Sequence, residues 1–188
     1  MTAGTRSSFL VALAVVVVDQ ITKVAAHRWL RPAGSVEVVP GFFDLTYSRN
    51  RGGLFGYFAD LPEPWRVGLL TALPVLAIAL LSRFLLRGED LSRPARVGLS
   101  AVLGGALGNL IDRALRGEVV DFLDAYASAP GLADWLVRHF GTAHWPTFNV
   151  ADSAIVVGAG LLLLDVLRPH ARAPAPAPSA ASRSIAPE

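Results

Sequence analysis

The 188-residue chain contains no cysteine. Disulfides, thiolate metal sites and a cysteine nucleophile are therefore excluded, whichever compartment the protein occupies. Charge is scarce as well. Only 17% of residues are Asp, Glu, Lys or Arg, and the formal net charge is +2. No basic cluster interleaved with aromatics is present, so no nucleic-acid partner is expected. The four histidines (His27, His139, His144, His170) are scattered without HExxH or other zinc spacing, and neither a GxSxG elbow nor a Ser–His arrangement is legible. Neither a metal nor any other cofactor is expected. Internal repeats are also lacking.

Apolar sequence is abundant instead: 53% of residues are hydrophobic, and the mean hydropathy is +0.46. A soluble domain of this size carries more charge, so the composition points to an all-α membrane protein with several crossings. About 20 apolar residues span a bilayer as a helix. Four windows qualify, at about residues 7–27, 65–86, 96–115 and 149–168. Asp19 and Lys23 interrupt the first, Pro74 is expected to kink the second, and Asn109, Asp112 and Arg113 lie late in the third. Arg6 and the apolar run 9–18 resemble a signal peptide, but no small-residue cleavage motif follows, which favours a retained anchor.

Arg83, Arg87, Arg93 and Arg96 cluster around the short connection between the second and third windows. Arg6 precedes the first window, and Arg168, Arg172 and Arg183 end the chain. The positive-inside rule then puts both termini and this short loop in the cytoplasm. Trp29, Trp65, Trp135 and Trp145 all fall on the outer side. At about 1.5 Å per residue, Asn109 lies roughly 20 Å across and Asp112 roughly 24 Å across, with Asp121 just past the outer end. Asp152 enters with the fourth helix at the same depth, where Asp19 and Lys23 also lie. Of the two outer connections, residues 34–58 read as a small β-rich element. Residues 124–147 include an amphipathic stretch, 132–140, suited to the interface. The Ala/Pro/Ser-rich tail 169–188 reads as disordered.

Ionisable groups near hydrocarbon are costly and are functional candidates. Asp19 and Lys23, four residues apart, can form a self-neutralising structural pair. Asp112–Arg113 fits either an interfacial pair or a site. Asp121 and Asp152 fit two solvated acids, or a pair close enough to share one proton and activate water. The glycines at 104 and 108 are a packing signal. A proton-coupled transporter using these acids as a relay is the alternative, although the inner half of the chain offers it few acids.

Four motifs in order resemble one family. They are Asp19-x-x-x-Lys23; Asn50-Arg-Gly-Gly-Leu-Phe-Gly56; Gly108-Asn-Leu-Ile-Asp-Arg113 with Val120-Asp-Phe122; and Phe148-Asn-Val-Ala-Asp152. The set resembles lipoprotein signal peptidase, also called signal peptidase II. The resemblance implies an aspartic endopeptidase of the bacterial inner membrane with its active site near the outer face. Its partners would be membrane lipid and diacylglyceryl-modified prolipoproteins, cut on the N-terminal side of the lipid-modified cysteine. It further implies Asp121 and Asp152 as the catalytic dyad. Asp19, Asn50, Asn109, Asp112, Arg113 and Asn149 would bind substrate or support the dyad, and Lys23 would be a structural partner of Asp19. The family's β-rich element matches 34–58, and its helix over the active site matches 124–147.

Overall fold

A computed structural model describes residues 2–53, 57–87 and 91–168. The tail expected to be disordered, 169–188, lies outside the described residues, as does the 54–56 end of the first outer motif. Helix α1 (Ala3–Ala25) begins where the Thr2 hydroxyl accepts the Thr5 amide, and it continues through a π-helical turn (Ala26–Leu30) into the short α2 (Arg31–Ala33). Strands β1 (Val36–Val39) and β2 (Phe43–Asn50) follow. Helix α3 (Glu63–Arg87) runs on through Pro74. Helix α4 (Arg93–Arg116) is capped by Ser92 and stopped by Gly117, whose φ of 75° suits a residue without Cβ. Strand β3 (Val119–Ala125), helix α5 (Pro130–Phe140) and helix α6 (Val150–Leu167) complete the chain.

The three strands form one antiparallel sheet in the order β1-β2-β3. Sequence suggested strands only in the first outer connection. The third comes from the far end of α4, where Gly117 frees Val119, Val120 and Phe122 to extend. Ser48 stands opposite Asp121 and Asn50 opposite Val119, so Asn50 and Asp121 are diagonal neighbours on one face. Val120 and Phe122 face the other way, into a small core with Ala26 at the end of α1.

Three segments are long and apolar enough to cross a membrane: Ala3–Ala33, Glu63–Arg87 and Val150–Leu167. Leu10, Leu73, Leu76, Val156 and Leu163 on them are more than half exposed, an apolar surface far larger than a water-soluble monomer shows. Four such spans were expected, and α4 is not among the three. The reason lies in its position. Helix α4 packs against α1, α3 and α6, so its surface is built of small and polar residues, including Gly98, Ser100, Gly105, Asn109 and Asp112, all buried. A helix shielded by three others meets protein rather than lipid, and small residues let the backbones approach.

At the α4–α6 crossing, a Cβ on Gly98 would stand 2.8 Å from the Gly158 carbonyl oxygen, and one on Gly158 would stand 2.7 Å from the Gly98 carbonyl oxygen. Backbone cannot yield there as a flexible side chain could. Gly98→Ala is therefore expected to destabilise the fold by about 1–3 kcal/mol through overpacking, read as a lower unfolding temperature in detergent. An unchanged or higher temperature would show that the crossing is looser than this.

Candidate active site

The polar residues converge where the sheet meets the helix ends, and the first turn of α6 organises them. Asn149 is its N-cap. The Asn149 Oδ1 accepts the Asp152 amide at 2.9 Å, while the Asn149 amide donates to Asp152 Oδ2 at 3.2 Å. This reciprocal box fixes the Asp152 carboxylate over the helix start. It also leaves the Asn149 amino group to serve other partners. Nδ2 donates to Asp121 Oδ1 at 2.7 Å and to Asn109 Oδ1 at 3.2 Å, from a fully buried position.

One asparagine thus touches both acids, and two more complete their surroundings. Asn50 Nδ2 donates to Asp121 Oδ2 at 3.0 Å, across the diagonal that the strand register created. Asn109 Nδ2 donates to Asp152 Oδ1 at 2.8 Å. Asp121 is 1% exposed. Its burial, and then the neighbouring Asp152 charge, push its pKa from 3.8 to about 7, against the opposing effects of Asn50, Asn149 and the Lys23 charge. A carboxyl raised this far by burial and a second acid is suited to hold a proton near neutrality.

Behind the acids lies a buried charged cluster. Lys23 and Asp19 do pair, at 2.9 Å, but the pair is not self-contained. The Lys23 ammonium also reaches Asp112 Oδ2 at 3.1 Å and Asn109 Oδ1 at 2.9 Å. Asp19 Oδ1 in turn accepts the Ala151 amide at 2.9 Å, which ties α1 to the start of α6. Asp112 and Arg113, adjacent in sequence, do not pair. Asp112 bonds Lys23, Arg116 and the Val120 amide, joining α4 to β3. Arg113 turns away and donates to the Gly52 carbonyl at 3.0 Å. Gln20 and Arg116, not singled out from sequence, also belong to the cluster, with Gln20 bonding Asp19 and Asp112. The Asp112–Arg116 spacing of four residues was the available signal.

A cavity of about 700 Å³ opens beside Asp152, lined chiefly by α3, α4 and α6. Leu69, Leu73, Val102, Ile155 and Val156 make most of it apolar. Asn50, Asn109, Arg113 and Asp152 supply its polar end. Trp145 and Phe148, just before α6, border that same cavity. Among the described residues, no three His, Cys, Asp or Glu side chains are grouped to hold a metal ion.

Apolar helices around a largely apolar cavity with one polar, acid-bearing end define the class as a membrane-associated helical enzyme, and two solved structures agree. Each is described as a bacterial membrane enzyme, solved by the in meso method. One, at 2.3 Å resolution, matches with a TM-score of 0.69 at 30% identity, over 86% of this chain and 87% of its own. The other, at 1.9 Å resolution, matches with a TM-score of 0.67 at 30% identity, over 86% and 93%. The particular family follows from sequence. The model of signal peptidase (SPase) II matches residues 11–168. The lipoprotein signal peptidase of Solibacter usitatus is 41% identical over 163 residues, covering 87% of this chain and 92% of the relative. That of Geobacter metallireducens is 42% identical over 165 residues, covering 87% and 91%. The chain belongs to the signal peptidase II family, a family of peptidases, and its long apolar helices mark it as a membrane protein.

The raised pKa of Asp121 has a consequence for stability. Between pH 3.8 and about 7 the folded state holds a proton that the unfolded chain has released. The stability linked to this group is therefore full below the lower value and lost as pH rises through the upper one. Asp121→Asn cannot ionise, so its unfolding temperature relative to that of the parent protein is expected to rise as pH goes from about 4 to above 7. A pH-independent gap would contradict the raised value.

Proposed function

We propose that the protein is an aspartic endopeptidase whose dyad is Asp121 and Asp152. It would remove the signal peptide from diacylglyceryl-modified prolipoproteins, N-terminal to the modified cysteine. The observation that carries this reading is the Asn149 side chain, bonded to Asp121 at 2.7 Å and box-paired with Asp152.

In this reading Asp121 holds the proton and Asp152 is ionised. Asp152 takes a proton from water as the water oxygen attacks the scissile carbonyl carbon. Asp121 donates its proton to the carbonyl oxygen, giving a tetrahedral gem-diol. The diol then returns a proton to Asp121 as the C–N bond breaks, and Asp152 protonates the leaving amine. The products are a carboxyl-terminated signal peptide and a free amino group on the lipid-modified cysteine. No metal or other cofactor takes part. Asn50 and Asn149 hold Asp121, Asn109 holds Asp152, and Arg113 secures the Gly52 loop at the cavity wall. Asp19 and Asp112 brace the helices behind. The apolar cavity suits a signal-peptide segment arriving sideways from the bilayer.

The same reading has four crossings, with shielded α4 as the third, and both termini in the cytoplasm. The arginines at 83, 87, 93 and 96 mark the inner side. The exposed Trp29, Trp65 and Trp145 sit at the helix ends nearest the sheet, consistent with an outer interface. Amphipathic α5, with Trp135 and Phe140 exposed, would lie along it.

The test is cleavage of a diacylglyceryl-modified prolipoprotein by purified Asp121→Asn and Asp152→Asn proteins. Each is expected to lose roughly 10²- to 10⁴-fold in kcat while remaining folded. A folded variant with parental turnover would remove the dyad.

A further inference from the structure

Lys23 has no role in the chemistry above, yet it is a buried cation with three bonded oxygens. Those oxygens are Asp19 Oδ2 at 2.9 Å, Asp112 Oδ2 at 3.1 Å and Asn109 Oδ1 at 2.9 Å. An i,i+4 ion pair whose only task is to neutralise itself inside a helix bundle needs the first contact alone. The third contact reaches a neutral amide that is one bond from the acid pair.

An ammonium carries three donors and no acceptor. It therefore settles which way the Asn109 amide points, a choice that an isolated asparagine leaves open. With Oδ1 held by Lys23, Nδ2 must face the other side, where it donates to Asp152 Oδ1 at 2.8 Å. The same Oδ1 also accepts the Asn149 amino group at 3.2 Å, and that amino group donates to Asp121. Both acids are thus linked through one amide group, Asp152 by its nitrogen and Asp121 by way of Asn149 on its oxygen, and Lys23 grips that oxygen.

We infer that Lys23 is a positioning residue for the acid pair, acting through the amide of Asn109, and not merely the structural partner of Asp19. Were Lys23 absent, Asn109 could turn its oxygen toward Asp152, a geometry that suits a protonated acid and not an ionised one. The ionised member would lose a donor, and Asn149 would lose an acceptor that holds it against Asp121. The inference rests on the dyad reading. The charged groups bearing on the pair are Asp19 and Lys23 from α1 and Asp112, Arg113 and Arg116 from α4, while β2 contributes the neutral Asn50 and α6 the neutral Asn149 cap.

Lys23→Met alone would strand Asp19 without its cation and is a poor test. The double variant Asp19→Asn/Lys23→Met removes one charge of each sign and keeps the Asn oxygen that the Ala151 amide needs, while Asp112 retains Arg116. It is to be purified in detergent and assayed on a synthetic diacylglyceryl lipopeptide across a pH series, with thermal unfolding measured alongside. The positioning role predicts a kcat lower by roughly 10- to 100-fold, with KM unchanged. It also predicts that the acid limb of the pH profile moves to higher pH, because a donor to the ionised acid is gone. A folded double variant with the parental kcat and pH profile overturns the inference. Lys23→Arg, which keeps the charge and the donors, serves if the double variant does not fold. It is expected to retain the pH profile of the parent with a reduced kcat, and an acid limb displaced to higher pH would overturn the proposal. Asp121→Asn and Asp152→Asn run beside these. If they cleave normally, the dyad reading itself falls; if they are inactive and the double variant is normal, only the role of Lys23 does.

Discussion

The rest of the site depends on the N-cap of α6. A helix start leaves amides without partners, and an asparagine there ordinarily answers one of them. Asn149 does so with Oδ1 alone, and its amino group is spent on Asp121 and Asn109. Because the box also fixes Asp152 at the third position of the helix, one residue sets the relation between two acids from different elements. The pair is therefore as rigid as the helix start that carries it. Such a site needs no flexible loop to bring its carboxyls together.

That arrangement needs dry, immovable surroundings, and α4 supplies them. Its glycines bring α1 and α6 close, so that Asp19 on α1 can bond the Ala151 amide of α6. Its last turns carry Asn109, Asp112 and Arg113 in three directions: toward the acids, toward Lys23 and β3, and toward the Gly52 loop. The charges there are matched, with buried Lys23 and partly exposed Arg116 against buried Asp19 and Asp112, which keeps the cost of burial tolerable. Burial still acts on Asp121, and its raised pKa reflects how little water reaches it.

Much of this was legible in the chain. Apolar windows around 7–27, 65–86 and 149–168 correspond to long apolar helices, because a span's length and composition are local properties. The window near 96–115 was harder to read, since α4 derives its tolerance for Gly and polar residues from neighbours that no window can see. Strand β3 was missed for a similar reason: Val119 to Ala125 extend only because β2 is there to pair with. The site residues named from sequence all lie in one cluster, but the motifs could not say who bonds whom. Asp112 and Arg113 look like a pair and are not one. Asp19 and Lys23 look self-sufficient and reach further. Arg116 and Gln20 lay outside any motif, and their places depend on the packing of α1 on α4.

The central claim is that Asp121 and Asp152 behave as a proton-sharing pair bridged by Asn149. Infrared titration of protein labelled with carbon-13 aspartate tests it most directly. One buried carboxyl is expected to keep its C=O stretch until the pH approaches about 7, and that band should be missing from Asp121→Asn protein. If every aspartate instead ionises near the ordinary carboxylate value, with no band persisting toward neutrality, the two acids do not form the pair described.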